Sequence, residues 1–332
     1  MELCRAFCAC LPFFSPENLN LNGRKLRIEK LLGEGGFSYV YLVQNPERQL
    51  FALKKIRCPF GQESVAAAMK EVEACKRFDS PLVISLVDHM ICQEADGTKT
   101  VYILLPYYHR GTLQDVINKC SIEGTRLSES DVQKWAKGIA KALRVMHRHR
   151  ATGPTAESEF AREDEHLLAS SGEVISLSEV VPWAHRDLKP ANVAIDDSDR
   201  AILMDLGSCA PAKVQITSRQ QALVLQDWAA EMCTLPYRAP ELLEVESNAT
   251  ISEKVDIWSY GCTIYALMYL IPPFEREEHQ AGASLTLAIQ SASFSFPQDS
   301  VYSSELQSLV TKCLNVDPEM RPTIDEILDI LE

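Results

Sequence analysis

The pattern of hydrophobic and polar positions changes about a third of the way along the 332-residue chain. The first third predicts strand, glycine turn and strand over 25–43, further strands over 50–57 and 101–105, and one helix over 62–78. From about Leu113 onward, apolar residues recur mostly at helical spacing, which predicts helices over 128–148, 218–231, 252–271, 282–290, 303–315 and 322–332. This order predicts an α+β fold with a small strand-rich N-lobe (25–106), a mainly helical C-lobe (109–332) and a boundary near 107–111.

Two segments stand apart from this pattern. Residues 151–180 are rich in Ser, Ala and Glu, carry a net charge of −6 and show no sustained apolar period, which predicts a solvated loop insertion. The longest apolar run, 260–271, stops at Pro272-Pro273. It falls short of the roughly 20 residues that a membrane-spanning helix needs, so we interpret it as part of a buried helix.

The overall charge narrows the class of partner. The chain has 46 Asp and Glu against 33 Lys and Arg, a net charge of −13, and 46% of its residues are hydrophobic. The apolar content excludes general disorder, and the acidic balance argues against a nucleic-acid binder, which would present a basic face to phosphates. Nucleotide binding stays open, because it needs only a few local cations beside a metal ion. We take the monomer as the default oligomeric state.

Cysteines crowd the first ten residues, where Cys4, Cys8 and Cys10 precede an apolar and aromatic run. Such a cluster is typical of S-palmitoylation, and residues 1–30 carry a net charge of +2 that suits an anionic membrane surface. Glu2 stands where N-myristoylation needs glycine. We therefore predict a cysteine-rich, lipidated tail over 1–24; an ordinary tail with exposed thiols is the alternative. The other eight cysteines are scattered singly, which indicates a reduced, cytosolic environment without zinc.

Several motifs that carry phosphate chemistry follow one another along the chain. Residues 33–40 read Gly-Glu-Gly-Gly-Phe-Ser-Tyr-Val between two predicted strands, and glycines there let backbone amides approach phosphate oxygens. Lys54 lies on the next strand, and Glu71 on the following helix has the spacing to pair with it. His-Arg-Asp-Leu-Lys-Pro-Ala-Asn at 185–192, Asp-Leu-Gly at 205–207 and Ala-Pro-Glu at 239–241 complete the order.

This ordered set resembles the signature of the eukaryotic protein kinases over residues 25–332. The segments 33–40, 204–208 (Met-Asp-Leu-Gly-Ser) and 225–230 (Leu-Gln-Asp-Trp-Ala-Ala) look like the Numb-associated kinase family. Within it, they are similar to the myristoylated and palmitoylated branch that includes yeast vacuole-membrane relatives. The resemblance implies a two-lobed kinase fold with an antiparallel-sheet N-lobe and ATP in the cleft. It also implies a constitutively active, lipid-anchored enzyme on the cytoplasmic face of vacuolar or Golgi membranes, with a role in trafficking.

The resemblance also implies a role for each matching residue. Asp187 orients the substrate hydroxyl, Lys189 steadies the γ-phosphate, Asn192 and Asp205 ligate Mg²⁺, and Lys54 contacts the α- and β-phosphates of ATP. The remaining expected nucleotide-site residues are Gly33, Glu34, Gly35, Gly36, Val40, Ala52, Glu71, Leu105, Pro106 and Tyr108. Lys189 and Thr234 match the serine/threonine class, so we expect protein Ser and Thr hydroxyls as acceptors, the chain itself among them.

Other matching residues are expected to act structurally. Thr234 has a hydroxyl that can bridge Asp187 and Lys189. Arg321 is expected to pair with Glu241, and Asp256 is expected to support the backbone of the catalytic loop. Three residues depart from the pattern: Pro106 stands where an acidic residue is frequent, Ser38 replaces a glycine, and Leu206 replaces phenylalanine. None of them removes a phosphate- or metal-binding group, so activity is expected.

The activation segment, 205–241, contains a capping-box pattern at 218–221 followed by Ala222, Leu225, Trp228 and Ala229 on one helical face. A capped, packed helix there supports constitutive activity, although Arg186 could read a phosphate, and Thr217 and Ser218 are candidate autophosphorylation sites. A well-packed substrate platform is an equally compatible interpretation. The rival functions are a pseudokinase scaffold, disfavoured because Lys54, Asp187 and Asp205 are all present, and a small-molecule kinase.

Overall fold

The computed structural model describes residues 18–150, 180–282 and 284–332. These residues fall into two compact units, one ending at His109 and the other beginning at Arg110. The N-terminal unit is built on an antiparallel sheet and the C-terminal unit is mainly helical. The predicted α+β class is therefore confirmed. The cysteine cluster and nearly all of the predicted insertion lie outside the described residues.

The N-terminal unit is a six-stranded sheet with one helix. Its elements are β1 (Leu19–Leu21), β2 (Arg24–Gly35), β3 (Ser38–Gln44), β4 (Leu50–Cys58), α1 (Gln62–Arg77), β5 (Asp88–Gln93) and β6 (Lys99–Pro106). The strand order is β1-β2-β3-β4-β6-β5, and all neighbours are antiparallel. Strands β2, β3, β4 and β6 and helix α1 match the sequence pattern closely.

Strand β1 was not predicted, and it changes where the unit begins. Its Leu19 and Leu21 are buried in one cluster with Leu26, Leu53 and Leu104. Burial of apolar surface of this kind stabilises the fold. The sheet therefore starts at Leu19, upstream of the predicted lobe boundary at residue 25.

The C-terminal unit contains eight helices within the described residues. They are α2 (Leu113–Glu123), α3 (Glu129–His147), α4 (Arg219–Met232), α5 (Lys254–Tyr269), α6 (Pro273–Ala281), α7 (Leu285–Gln290), α8 (Ser304–Cys313) and α9 (Ile324–Ile330). Short strands pair between them as β7 (Trp183–Ala184) with β10 (Ala210–Pro211), β8 (Val193–Ile195) with β9 (Ala201–Leu203), and β11 (Val214–Gln215) with β12 (Thr250–Ile251). Helices α2 and α6 were not predicted; the other six match predicted helices.

Helix α5 is the centre of the C-terminal unit. Every residue from Val255 to Met268 is buried, which agrees with the buried helix expected from the apolar run. At Gly261 an added Cβ would lie 2.8 Å from the Cβ of Cys313 on α8. Glycine is needed there because only its absent side chain lets the two helices approach this closely.

Candidate active site

The glycine-rich segment forms the β2–β3 hairpin of the N-terminal unit. Gly35 pairs with Ser38, so Gly36 and Phe37 make the turn. A Cβ added at Gly33 or Gly36 would meet nothing within 4 Å, and neither residue has positive φ. Neither backbone conformation nor internal packing therefore explains these two glycines. Close approach of an external group to the backbone is a further general reason for glycine at such positions.

Lys54 on β4 and Glu71 on α1 form an ion pair. The Lys54 ammonium donates to both Glu71 carboxylate oxygens at 2.8 Å, and the two side chains are only 15% and 5% exposed. Strand and helix thus hold a cation in a fixed position within the N-terminal unit. A buried charge needs such a partner, because an unpaired one is costly.

An apolar surface adjoins this ion pair on the same face of the sheet. Val40 lies opposite Lys54, and Ala52 lies opposite Leu105. Directly opposed residues share a face, as do residues two apart on a strand, so all four side chains point the same way. Pro106 ends β6, and Tyr108 follows it.

The catalytic-loop residues converge in the C-terminal unit. The Lys189 ammonium donates to the Asp187 carboxylate at 2.8 Å and to the Thr234 hydroxyl at 2.6 Å. The Asn192 side-chain amide donates to the Asp187 carboxylate at 3.0 Å and to its backbone carbonyl at 2.8 Å. Thr234 contacts Asp187 through its backbone N–H, at 2.8 Å, whereas the sequence suggested a bridge made by the hydroxyl alone.

The backbone before Asp187 is held by the buried carboxylate of Asp256 on α5. Asp256 accepts from the backbone N–H groups of His185, at 2.7 Å, and Arg186, at 2.8 Å, and contacts the His147 ring at 3.0 Å. Burial by itself would raise the pKa of the Asp256 carboxyl, but the His147 hydrogen bond, together with the other contacts, holds that pKa below its usual value. The ionised carboxylate thus fixes the loop.

Asp205 follows β9 in a left-handed conformation, with φ of 56°, and is exposed, whereas Leu206 after it is fully buried. The Met204 N–H donates to the Asn192 carbonyl at 2.8 Å, which ties the two segments together. Leucine thus fills the buried position that phenylalanine occupies in the usual motif.

Glu241 and Arg321 form a buried anchor elsewhere in this unit. Arg321 is 1% exposed, and its guanidinium donates to both Glu241 oxygens at 2.7 and 2.8 Å. It also donates to backbone carbonyls, and the guanidinium carbon lies 5.1 Å from the centre of the Trp258 ring. A forked, fully satisfied arginine pair of this kind fixes the segments it joins.

The sequence did not reveal three contributors to the catalytic loop. His147 reaches Asp256 from the end of α3, the Ser208 hydroxyl donates to the His185 carbonyl at 2.6 Å, and Trp228 lies against Arg186. Each contact joins residues at least 20 positions apart. Single residues at that separation leave no local pattern, although a polar side chain on an otherwise apolar helix face, as at His147, is a weak signal.

No helix in the described ranges is both long enough and apolar enough to span a bilayer. Within the same ranges, no three His, Cys, Asp or Glu side chains are grouped so that they could hold a metal ion. The eight cysteines that the structure describes are all free thiols, and seven of them are buried.

Comparison with known proteins agrees with this geometry. The family model described as "Protein kinase domain" matches residues 26–152 and 180–330, so the chain belongs to the protein kinase domain family. Serine/threonine-protein kinase ENV7 of Saccharomyces cerevisiae is 41% identical over 100% of this chain and 98% of its own length. Serine/threonine-protein kinase ppk13 of Schizosaccharomyces pombe is 39% identical over 96% of this chain and 93% of its own length. Serine/threonine-protein kinase 16 of Mus musculus is 36% identical over 94% of this chain and 90% of its own length.

These full-length similarities place the chain in the class of serine/threonine protein kinases. The predicted kinase fold and enzyme class are confirmed. Kinases of this family use ATP and Mg²⁺ and act on proteins.

Proposed function

We propose that this chain is an active kinase that transfers the γ-phosphoryl group of Mg-ATP to Ser and Thr hydroxyls of proteins. The observation that carries the proposal is the convergence of Asp187, Lys189, Asn192 and Thr234 through hydrogen bonds of 2.6–3.0 Å. Phosphoryl transfer depends on alignment and charge stabilisation more than on covalent help from the protein. Asp187 accepts the hydrogen bond of the attacking hydroxyl, and Lys189 offsets the negative charge on the γ-phosphate.

The N-terminal unit supplies the groups for binding the nucleotide. The ammonium of Lys54, oriented by Glu71, contacts the α- and β-phosphates, and the hairpin at Gly33–Gly36 offers its backbone amides. Gly35 and Glu34 belong to the same hairpin. Val40, Ala52 and Leu105 present apolar surface for the adenine ring, and the Pro106 carbonyl and Tyr108 N–H supply its hydrogen bonds.

The donor set beside Asp187 suits a magnesium ion. The amide nitrogen of Asn192 is directed to Asp187, which leaves its amide oxygen for a cation, and the Asp205 carboxylate is exposed. Mg²⁺ prefers hard oxygen ligands and usually takes only one or two protein groups together with phosphate oxygens and water. Asn192 and Asp205 would hold it, and when bound it neutralises phosphate charge.

Activity without a separate activating event is the second part of the proposal. The activation segment is held by two kinds of protein contact: α4 is capped by the Ser218 hydroxyl, and β11 pairs with β12, which lies outside the segment. Gln221 at the start of this helix accepts from the Thr217 N–H at 2.7 Å. A segment fixed in this way does not depend on phosphorylation for its order.

A phosphorylation assay tests the catalytic proposal. Purified full-length protein should incorporate phosphate from Mg-ATP into a generic basic protein, and Asp205→Ala should abolish this. Asp227→Ala, which removes an exposed carboxylate from α4, is the matched control and should keep the wild-type rate. Incorporation by the wild type no greater than that of Asp205→Ala would favour a pseudokinase scaffold.

We also propose that the segment ahead of β1 anchors the kinase to membranes through acylated Cys4, Cys8 and Cys10, and that the kinase domain includes β1 rather than beginning at residue 25. The cysteine cluster and the net charge of +2 over residues 1–30 support this. The motif resemblance supports assignment to the Numb-associated family and a role in trafficking on the cytoplasmic face of vacuolar or Golgi membranes. We also propose that part of the protein is cytosolic and that the kinase phosphorylates itself.

Cell fractionation tests the anchor. Changing all three tail cysteines to serine should move the protein from the membrane pellet to the soluble fraction, because one or more acyl chains supply the binding. Cys92→Ser, a half-buried cysteine outside the tail, is the control and should stay on membranes. Retention of the triple variant on membranes would remove acylation as the anchor.

A further inference from the structure

The side chain of Arg186, next to the proposed catalytic Asp187, is enclosed by the activation segment. Its guanidinium carbon lies 5.1 Å from the centre of the Trp228 ring, and its Nη2 donates to the Pro211 carbonyl at 2.9 Å. The residue is only 6% exposed. A cation over an indole face is attracted by the negative potential of the ring, more strongly when water is excluded. Trp228 and Pro211 therefore provide an aromatic and a carbonyl partner within the same chain.

The backbone of Arg186 makes these contacts relevant to catalysis. Arg186 has φ of 67°, a left-handed conformation that is unfavourable for a side chain of this size. Its N–H donates to Asp256 at 2.8 Å, so the strained residue is held from its backbone side. The Trp228 contact holds it from the side-chain end. A shift of Arg186 would displace Asp187, because the two residues share a peptide bond.

The position of Trp228 is itself fixed by contacts of its helix with the rest of the chain. It lies on α4, whose Leu225 and Ala229 are buried. The C-terminal end of α4 is bound by Arg238, which donates to the Ala230 carbonyl at 3.2 Å and to the Cys233 carbonyl. A cation at a helix C-terminus also suits the helix dipole.

We propose that Trp228 is a positioning residue, which holds Arg186 and thereby Asp187 in place by stacking where other kinases use a phosphorylated side chain. Ordering of an activation segment by phosphate–arginine contacts is a general switching device. In this chain the indole of Trp228, on α4, contacts the guanidinium of Arg186 instead. The inference rests on the proposed kinase activity and adds the residue responsible for its independence from phosphorylation.

Substitutions at Trp228 test the stacking. Steady-state kinetics on phosphatase-treated full-length protein should show kcat of Trp228→Leu reduced about tenfold to 100-fold, as expected for a displaced catalytic group. The KM for ATP should stay within about twofold, since binding energy from groups outside the displaced loop is unchanged. Trp228→Phe keeps an aromatic face and should retain most of the activity. Leu223→Ala, at an exposed position of the same helix, is the matched control and should match the wild type.

Coupling between the two residues separates stacking from a general effect on folding. If Trp228 acts through Arg186, the double variant Arg186→Gln/Trp228→Leu should have the same kcat as Arg186→Gln alone. Fully additive losses, or wild-type kcat in Trp228→Leu with an unchanged Tm, would overturn the proposal. Loss of activity when the wild-type protein is treated with phosphatase would also overturn it. So would an inactive double variant Thr217→Val/Ser218→Asn, because this variant removes both hydroxyls but keeps a side chain that can cap the helix. Failure of the kinase function itself is distinguishable, because the untreated wild type would then equal Asp205→Ala.

Discussion

At the residue scale, strained backbone occurs in the proposed catalytic loop and metal-binding segment as well as elsewhere. Arg186 and Asp205 are two of the eight non-glycine residues in the described ranges that have positive φ. Left-handed conformations of this kind persist only where the surroundings enforce them, and they are concentrated at functional sites. Asp256 supplies part of that enforcement, since two backbone N–H groups and His147 converge on its carboxylate.

Asp256→Asn should therefore destabilise the protein in a pH-dependent way. At pH 7 we expect a loss of about 2–3 kcal/mol in the free energy of unfolding, because hydrogen bonds to charged groups contribute about 1.5–3 kcal/mol. The pKa of Asp256 is lowered in the fold, so its stabilisation is fully present above the unfolded pKa of about 3.9 and is lost as pH falls through the folded pKa.

Thermal unfolding measured between pH 7 and pH 3 checks this expectation. The difference in Tm between wild type and Asp256→Asn should shrink below about pH 4, where the unfolded carboxyl becomes protonated. Asp227→Asn, at an exposed position, should follow the wild-type curve throughout. A Tm difference that is the same at both ends of the range would show that the charge of Asp256 does not matter.

At the element scale, long periodic segments were predictable and short ones were not. Helix α3 extends over Glu129–His147, close to the predicted 128–148, because its apolar face repeats over five turns. Helix α2 was not predicted even though Thr112 and Asp115 form a capping box at its start. Strand β5 carries polar residues such as Asp88 and His89. Its hairpin pairing with β6, which extends from Gln93–Lys99 to Asp88–Leu104, decides its structure rather than any alternation of its own side chains.

Strand β1 shows what such a short element contributes. Leu21→Ala should lower the free energy of unfolding of the N-terminal unit by about 2–5 kcal/mol, the usual cost of removing a fully buried leucine side chain. Chemical denaturation checks this, with Leu50→Ala, a leucine of β4 that is 39% exposed, as the control. Equal effects of the two substitutions would mean that β1 is not part of the core.

At the scale of the whole molecule, the ends of the acidic insertion meet. Arg150 and Val180 form an antiparallel bridge, and the Val181 N–H donates to the His149 carbonyl at 2.9 Å. A connection whose ends are already paired can be shortened with little entropic cost. The family match likewise skips residues 153–179.

Replacing residues 151–179 by an Asn-Gly turn should therefore leave kcat within about twofold of wild type, because that dipeptide suits a two-residue antiparallel connection. A phosphorylation assay with a generic protein substrate measures this. Removing residues 149–181 instead also deletes the bridge and should lower Tm. A collapse of ATP turnover in the first variant would make the insertion an integral part of the C-terminal unit.

The sequence by itself determined the class of the protein and predicted its chemistry-bearing residues. Periodicity and the order of short motifs are local properties, and they were sufficient for strands β2, β3, β4 and β6, for most helices and for the kinase family. Tertiary structure alone decided that Leu19 and Leu21 of β1 are buried with Leu53 and Leu104, that Asp256 holds the catalytic loop and that Trp228 stacks on Arg186. The residues brought together in this way lie between 32 positions apart, for Leu21 and Leu53, and 85 positions apart, for Leu19 and Leu104. Such pairs are set by packing of completed elements, which no local pattern encodes.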